Sequence, residues 1–151
     1  MSQALAKVIL HIVYSTKNRK RWLHDDVRDR LFAYQAGIFK KWDSPALVIG
    51  GVDDHVHALF SLSKNYALKK IVEEVKKSSS KWMKTPDGSS NQDFQWQNGY
   101  AGFSVSQSNA KEVRKYIQDQ VEHHRTMTFQ EEVRELFKRH GIEFDERYVW
   151  D

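Results

Sequence analysis

Apolar and polar positions along this chain repeat with two different periods, and the changes of period divide it into elements. Residues 5–14, LAKVILHIVY, are apolar and β-branched over a length too short for a comfortable helix, which predicts a first strand. Over 25–41, Val27, Leu31, Tyr34 and Ile38 recur at three- and four-residue spacing. Asp25 and Asp26 precede them, where carboxylates favour the positive end of a helix, so a first helix is expected. Pro45 opens the extended run ALVIGGV, and GGVDD at 50–54 reads as a turn into HVHALFSL. Two antiparallel strands joined by a short turn account for this stretch. Over 66–84, Leu68, Ile71, Val72, Val75 and Ser79 share one side of a second helix, with the lysines mainly elsewhere. A polar loop over 85–93 leads to a last, edge strand from about Tyr100 to Ser104. Asn109 is placed to cap a third helix running to about His124, and a fourth spans about Thr128 to His140, ended by Gly141.

The order β-α-β-β-α-β followed by two helices predicts one α+β domain over 1–151. It matches a ferredoxin-like (RRM-like) four-stranded antiparallel sheet, with two helices on one face, the other face available, and the last helices appended. Hydrophobic residues at 40% and charged residues at 29% have the balance of a globular protein and exclude a disordered class. No cysteine is present, so disulfides and thiolate metal sites are excluded, and any metal must be held by His, carboxylate or amide groups. No apolar run approaches a membrane span or export signal, and a reducing bacterial cytoplasm is the expected location. The net charge of +4 is unevenly spread: residues 1–41 hold nine Lys/Arg against three Asp, and 109–151 hold eight Lys/Arg against ten Asp/Glu. A basic end points to a polyanionic partner, nucleic acid first, or to a solvated basic surface.

In the strand HVHALFSL, alternation puts His55, His57, Leu59 and Ser61 on one face and Val56, Ala58, Phe60 and Leu62 on the other. The second set is the core set. The histidines are therefore expected to point away from the core, about 6.5 Å apart along the strand, a spacing from which two imidazoles converge on one ion. In the third helix Val113, Ile117 and Val121 form the stripe expected to pack on the sheet. Tyr116, Gln120 and His123 form a neighbouring stripe at its border, with Tyr116 and Gln120 one turn apart.

HVHALF at 55–60 resembles the His-hydrophobic-His signature of the HUH endonucleases. YIQDQVEHH at 116–124 resembles the catalytic helix of single-tyrosine transposases of small bacterial insertion sequences, the IS200-like family. TKNRKR after the first strand, WQNGYAGFSVS before the third helix and the closing GIEFDERYVW are similar too, so the resemblance covers nearly the whole chain. It implies a homodimer that cleaves and rejoins single-stranded DNA with hairpin ends, using Mg2+ or Mn2+. By the same resemblance, Tyr116 attacks phosphorus to leave a covalent 5'-phosphotyrosine, and His55, His57 and Gln120 hold the ion. A transposase domesticated for cutting chromosomal hairpins is similar in length.

Other residues carry weaker expectations. Lys17, Arg19, Lys20 and Arg21, with the lysines of the second helix, are candidate phosphate contacts. Trp22, Trp82 and Trp96 are either base-stacking or core residues. His11 either reaches the histidine face or is a hydrogen-bonded sheet residue, and Asp53 and Asp54 are either turn residues or supply one contact to the ion. His123 and His124 receive no role. Two alternatives stay open: a non-catalytic nucleic-acid-binding module, and a hydrolase whose histidines activate water.

Overall fold

The computed structural model describes residues 2–151. Four strands form one antiparallel sheet: β1 (Ile9–Ser15), β2 (Ala46–Gly51), β3 (His55–Ser61) and β4 (Ala101–Val105), in the spatial order β2-β3-β1-β4. With helices α1 (Asp25–Lys41) and α2 (Leu68–Met83) crossing between strands, this is the ferredoxin-like arrangement. Three further helices follow, α3 (Ala110–Gln118), a single turn α4 (Gln120–His123) and α5 (Phe129–Arg139). Among the described residues no helix is long and apolar enough to cross a membrane.

The strand alternation divides the side chains between two faces. Ile12, Val56, Ala58 and Phe60 point to one face and are buried against Leu31 and Phe39 of α1 and Ile71, Val72 and Val75 of α2. The opposite face is covered too. There Ile9 and Leu59 cluster with Ala110 and Ile117 of α3. Val13 and Phe103 cluster with Val133, Leu136 and Phe137 of α5. The expectation of an available second face is thereby corrected: α3, α4 and α5 close it, and His55 and His57 are fully buried.

Two element boundaries differ from the sequence reading for identifiable reasons. β1 starts at Ile9 and not at residue 5, because Ile9 already pairs with Ser61 and Val105, the last residues of β3 and β4. Leu5 has no strand beside it and is 73% exposed. The third helix is interrupted at Asp119, whose φ of -92° and ψ of 18° leave the helical range. Val121 consequently turns outward and is 52% exposed, where the unbroken period placed it on the sheet, while Gln120 turns inward and is buried.

Close approach of α3 to the sheet depends on Gly50. A Cβ there would stand 2.5 Å from the carbonyl oxygen of Ile117, so only glycine lets the helix backbone sit against β2. α5 begins at Thr128, whose side chain accepts a hydrogen bond from the Glu131 amide as an N-cap.

Candidate active site

The site lies between the two apolar clusters of the α3–α5 face. β3 supplies His55 and His57, which share that face because they are two residues apart. β1 supplies His11, whose direct cross-strand partner is Leu59, making His57 its diagonal neighbour within side-chain reach. His11 Nε2 stands 2.8 Å from His57 Nδ1, and the two rings stack with centroids 5.0 Å apart. This is the hydrogen-bonded sheet histidine of the sequence reading, on the same face as the pair.

α3 brings Tyr116 to His57, with ring centroids 5.9 Å apart, so the tyrosine and the histidine pair meet within one chain. Gln120, one turn on and past the Asp119 interruption, places Oε1 3.3 Å from His55 Nε2. Asp54 Oδ1 accepts from His55 Nδ1 at 2.7 Å and so holds this ring from behind. His124 Nδ1 donates to the Met127 carbonyl at 2.7 Å, which aims its Nε2 inward.

Sequence reasoning missed Glu132. This carboxylate from α5 is 1% exposed and joins the separate parts of the site. Its Oε1 lies 2.9 Å from His57 Nε2, 3.0 Å from His124 Nε2 and 3.3 Å from His55 Nε2. Its Oε2 accepts hydrogen bonds from the Tyr116 hydroxyl and, at 3.0 Å, from Gln120 Nε2. A signal for it existed. Phe129, Glu132, Val133, Leu136 and Phe137 recur at helical spacing, and a carboxylate inside an otherwise apolar stripe demands buried partners.

Charge in the site follows from these contacts. Burial opposes the charge of Glu132, but hydrogen bonds from His124, His55 and His57 hold it well below the usual carboxylate range. Burial likewise opposes the His55 cation, and the hydrogen bonds to Asp54 and Glu132 overcome it, raising His55 to about 9. His57 shifts down because burial outweighs Glu132. His11, buried and beside His57, falls to about 3. One tautomer chain satisfies both: His11 Nε2–H donates to His57 Nδ1, and His57 Nε2–H donates to Glu132. Burial, then the Glu132 charge, push the Tyr116 phenol above its ordinary value.

The donor set suits a divalent cation. One ligand atom from each of His55, His57, His124 and Glu132 lies within 4.8 Å of the others. Imidazole nitrogens with a carboxylate oxygen are borderline donors that accept Mn, Zn or related ions. Asp53 stays in the turn at the edge, in an ion pair with Arg21 at 3.7 Å. His123 reaches Glu132 Oε2 only at 3.9 Å.

Two cavities adjoin the site and share Asn18, Arg19 and Phe129. Phe129 packs on the His55 ring with centroids 4.6 Å apart, forming the wall between cavities and site. One cavity, of about 490 Å³, is lined by Tyr100, Tyr148 and Trp150 among others. The other, of about 590 Å³, is lined by Arg21, Asp54, His124 and Arg125. Of the four basic loop residues singled out from the sequence, Arg19 and Arg21 reach these cavities, while Lys17 and Lys20 are exposed beside them and Lys20 Nζ lies over the Trp22 ring at 5.1 Å. Trp82 stacks on Tyr34, and Trp96 is buried and donates to Ser79 Oγ at 3.0 Å, so both are packing residues. Trp22 packs half-buried against Phe94.

A sequence model described as "Transposase IS200 like" matches residues 4–120, well over half of the chain. The chain belongs to the IS200-like transposase family. The match ends at Gln120, so the family segment includes β1 to β4, Tyr116 and both β3 histidines but stops short of His124 and Glu132. The solved structure of a candidate transposase from Deinococcus radiodurans R1 superposes with a TM-score of 0.59 at 22% identity, covering 78% of this chain and 93% of that one. A REP-associated tyrosine transposase bound to a REP hairpin superposes with a TM-score of 0.56 at 12% identity, covering 78% of this chain and 68% of that one. At these identities both likenesses establish the fold. No curated protein matches the sequence.

Proposed function

We propose that this transposase-family protein cleaves and rejoins single-stranded DNA through Tyr116, with a divalent ion held by His55, His57 and Gln120. The observation that carries the proposal is the convergence, inside one chain, of Tyr116 with the buried histidine pair. A phenol is a poor nucleophile while protonated, and a phosphodiester is a poor electrophile, so each needs help. A bound Mn2+ or Mg2+ supplies Lewis-acid polarisation of the scissile phosphate, and imidazole ligation favours Mn2+ of the two.

The chain's own groups do the rest. Glu132 accepts from the Tyr116 hydroxyl and fixes the direction in which Oη points. Asp54 accepts from His55 Nδ1–H and, in the tautomer that frees His57 Nε2 for an ion, His11 Nε2 accepts from His57 Nδ1–H, so each Nε2 is directed into the site. Attack by Oη on phosphorus forms a 5'-phosphotyrosine and breaks the bond to the 3'-oxygen; the phenol gives up its proton and the 3'-oxygen takes one up to leave as a 3'-hydroxyl, so the step is proton-neutral overall. Reversal with a different 3'-hydroxyl rejoins the strand without an external energy source, because the phosphodiester energy is retained in the tyrosine ester.

The adjoining cavities suit an unpaired strand. Arg19, Arg21 and Arg125 offer cations for phosphates, and Tyr100, Tyr148 and Trp150 offer rings for bases. A relative that binds a REP hairpin supports a hairpin-bearing substrate. Tyr116 lies beside the histidines of its own chain, which supports a reading in which each subunit of a homodimer cleaves with its own tyrosine.

The test is incubation with single-stranded hairpin DNA and Mn2+ or Mg2+, followed by a denaturing gel. The expected result is a covalent protein–DNA adduct, lost by at least about 10³-fold in Tyr116→Phe. Cleavage that persists in Tyr116→Phe without an adduct assigns the histidines to water activation instead. No cleavage by the wild-type protein, with tight DNA binding unaffected by the mutation, assigns a binding module.

A further inference from the structure

We infer that the chain beyond the family segment supplies two more metal ligands, Glu132 Oε1 and His124 Nε2, so that the ion site is completed by α5 and the turn before it. The inference rests on the proposed divalent site and extends it to residues outside 4–120.

Three observations carry it. The first is spacing. Two donors at right angles around an ion with bonds of about 2.1 Å stand about 3.0 Å apart. Glu132 Oε1 lies 2.9, 3.0 and 3.3 Å from the Nε2 atoms of His57, His124 and His55, the separations of neighbouring ligands in one coordination shell.

The second is the outer hydrogen bonds. A metal-binding histidine characteristically has its other ring nitrogen held by a carboxylate, carbonyl or similar partner, which fixes the ring and the tautomer. His55 has Asp54 in that place at 2.7 Å, and His124 has the Met127 carbonyl at the same distance. His124 is therefore oriented in the same way as a histidine of the β3 pair, although it comes from a different element.

The third is burial. A carboxylate that is 1% exposed requires compensation for its lost hydration, and here both oxygens are directed at site groups and none at a lysine or arginine. Its two oxygens divide the work. Oε1 belongs to the ligand cluster, while Oε2 receives the Tyr116 hydroxyl and the Gln120 amide. One side chain thus ties the nucleophile to the ion, with Glu132 acting on Tyr116 as a positioning residue.

The experiment is a Mn2+ titration of the full chain without DNA, read by loss of the free-ion electron paramagnetic resonance signal. Far-UV circular dichroism and thermal melting of each metal-free variant check folding. Glu132→Gln keeps the shape and removes the charge, and it is expected to weaken Mn2+ binding by at least about tenfold, as is His124→Gln. Mn2+ affinity within twofold of wild type in a folded Glu132→Gln protein would overturn the inference. Tighter binding would also overturn it, by identifying the carboxylate as a competitor for the ion's place. If Glu132→Gln does not fold, pulsed measurement of nitrogen couplings decides: wild type should show three imidazoles on Mn2+ and His124→Gln two, and an unchanged count sinks the idea. His57→Ala distinguishes loss of the whole metal site from loss of the two added ligands alone. Mn2+ binding undisturbed by His57→Ala defeats the proposed metal site itself, whereas binding lost in His57→Ala but kept in Glu132→Gln defeats only the extension.

Discussion

The two faces of the sheet solve the same burial problem in opposite ways. On the α1/α2 face, Ile12, Val56, Ala58 and Phe60 meet Leu31, Phe39, Ile71 and Val75 in one contiguous apolar cluster. On the α3–α5 face the apolar contacts are split into a cluster under α3 and another under α5. Between them stand His11, His55, His57, His124, Gln120 and Glu132, linked by hydrogen bonds. The first face gains stability from area removed from water, and loses it gradually when area is lost. The second depends on every buried polar group keeping its partner, and a network of that kind fails when one member is removed. The candidate site residues are thus placed where the fold has least apolar redundancy.

The sharpest way to break this comparison is to truncate the apolar face. Phe60→Ala removes a fully buried ring that packs on Phe39 at a centroid distance of 4.9 Å. A loss of about 3–5 kcal/mol in urea unfolding is expected, with Mn2+ affinity of the remaining folded protein unchanged. A large drop in Mn2+ affinity would show that the two faces are not independent.

Metal should act on the other face alone. Adding Mn2+ at 100 times its dissociation constant is expected to stabilise the wild type by about 2.7 kcal/mol, measured as a rise in the unfolding midpoint that a chelator reverses. His57→Ala should abolish that rise, while Phe60→Ala should retain it.

Gly50→Ala tests the seat of α3. The added methyl meets the Ile117 carbonyl oxygen, and relief requires α3 to move outward, carrying Tyr116 with it. A cost of about 1–3 kcal/mol is expected, together with a fall in adduct yield larger than the stability loss explains. An adduct yield equal to wild type would show that Tyr116 tolerates displacement.

The smallest effect belongs to the apolar side's rim. Lys76 is pushed down to about 8 by burial, with Nζ 2.9 Å from the Gln97 carbonyl. Between about pH 8 and its ordinary value of 10.5, the unfolded chain binds the proton and the folded chain does not, so stability rises with pH across that window. Lys76→Met should flatten this slope in denaturant titrations while leaving Mn2+ affinity alone.

Much of the architecture is legible in the sequence, since helix period and strand alternation are local properties of the chain. α1 spans the residues its spacing predicts, and the β3 parity that separates His55 and His57 from Val56 and Phe60 holds in the structure. The closeness of Tyr116 and Gln120 to that pair was expected from family resemblance, and periodicity alone would not have provided it. Three things were decided only by the tertiary structure. Whether the histidine face is open depends on where α3 to α5 dock, which no local period encodes. The interruption at Asp119 reverses the roles of Gln120 and Val121, because inward packing of Gln120 at the site overrides the continuous helical stripe. Glu132 meets Tyr116 and His57 across 16 and 75 residues of chain, and a carboxylate's partners at such separations are set by how helices pack and not by sequence spacing. The sequence determined the strands, the helices and which way each side chain faces; the tertiary structure decided which faces meet, because burial is a property of two surfaces together.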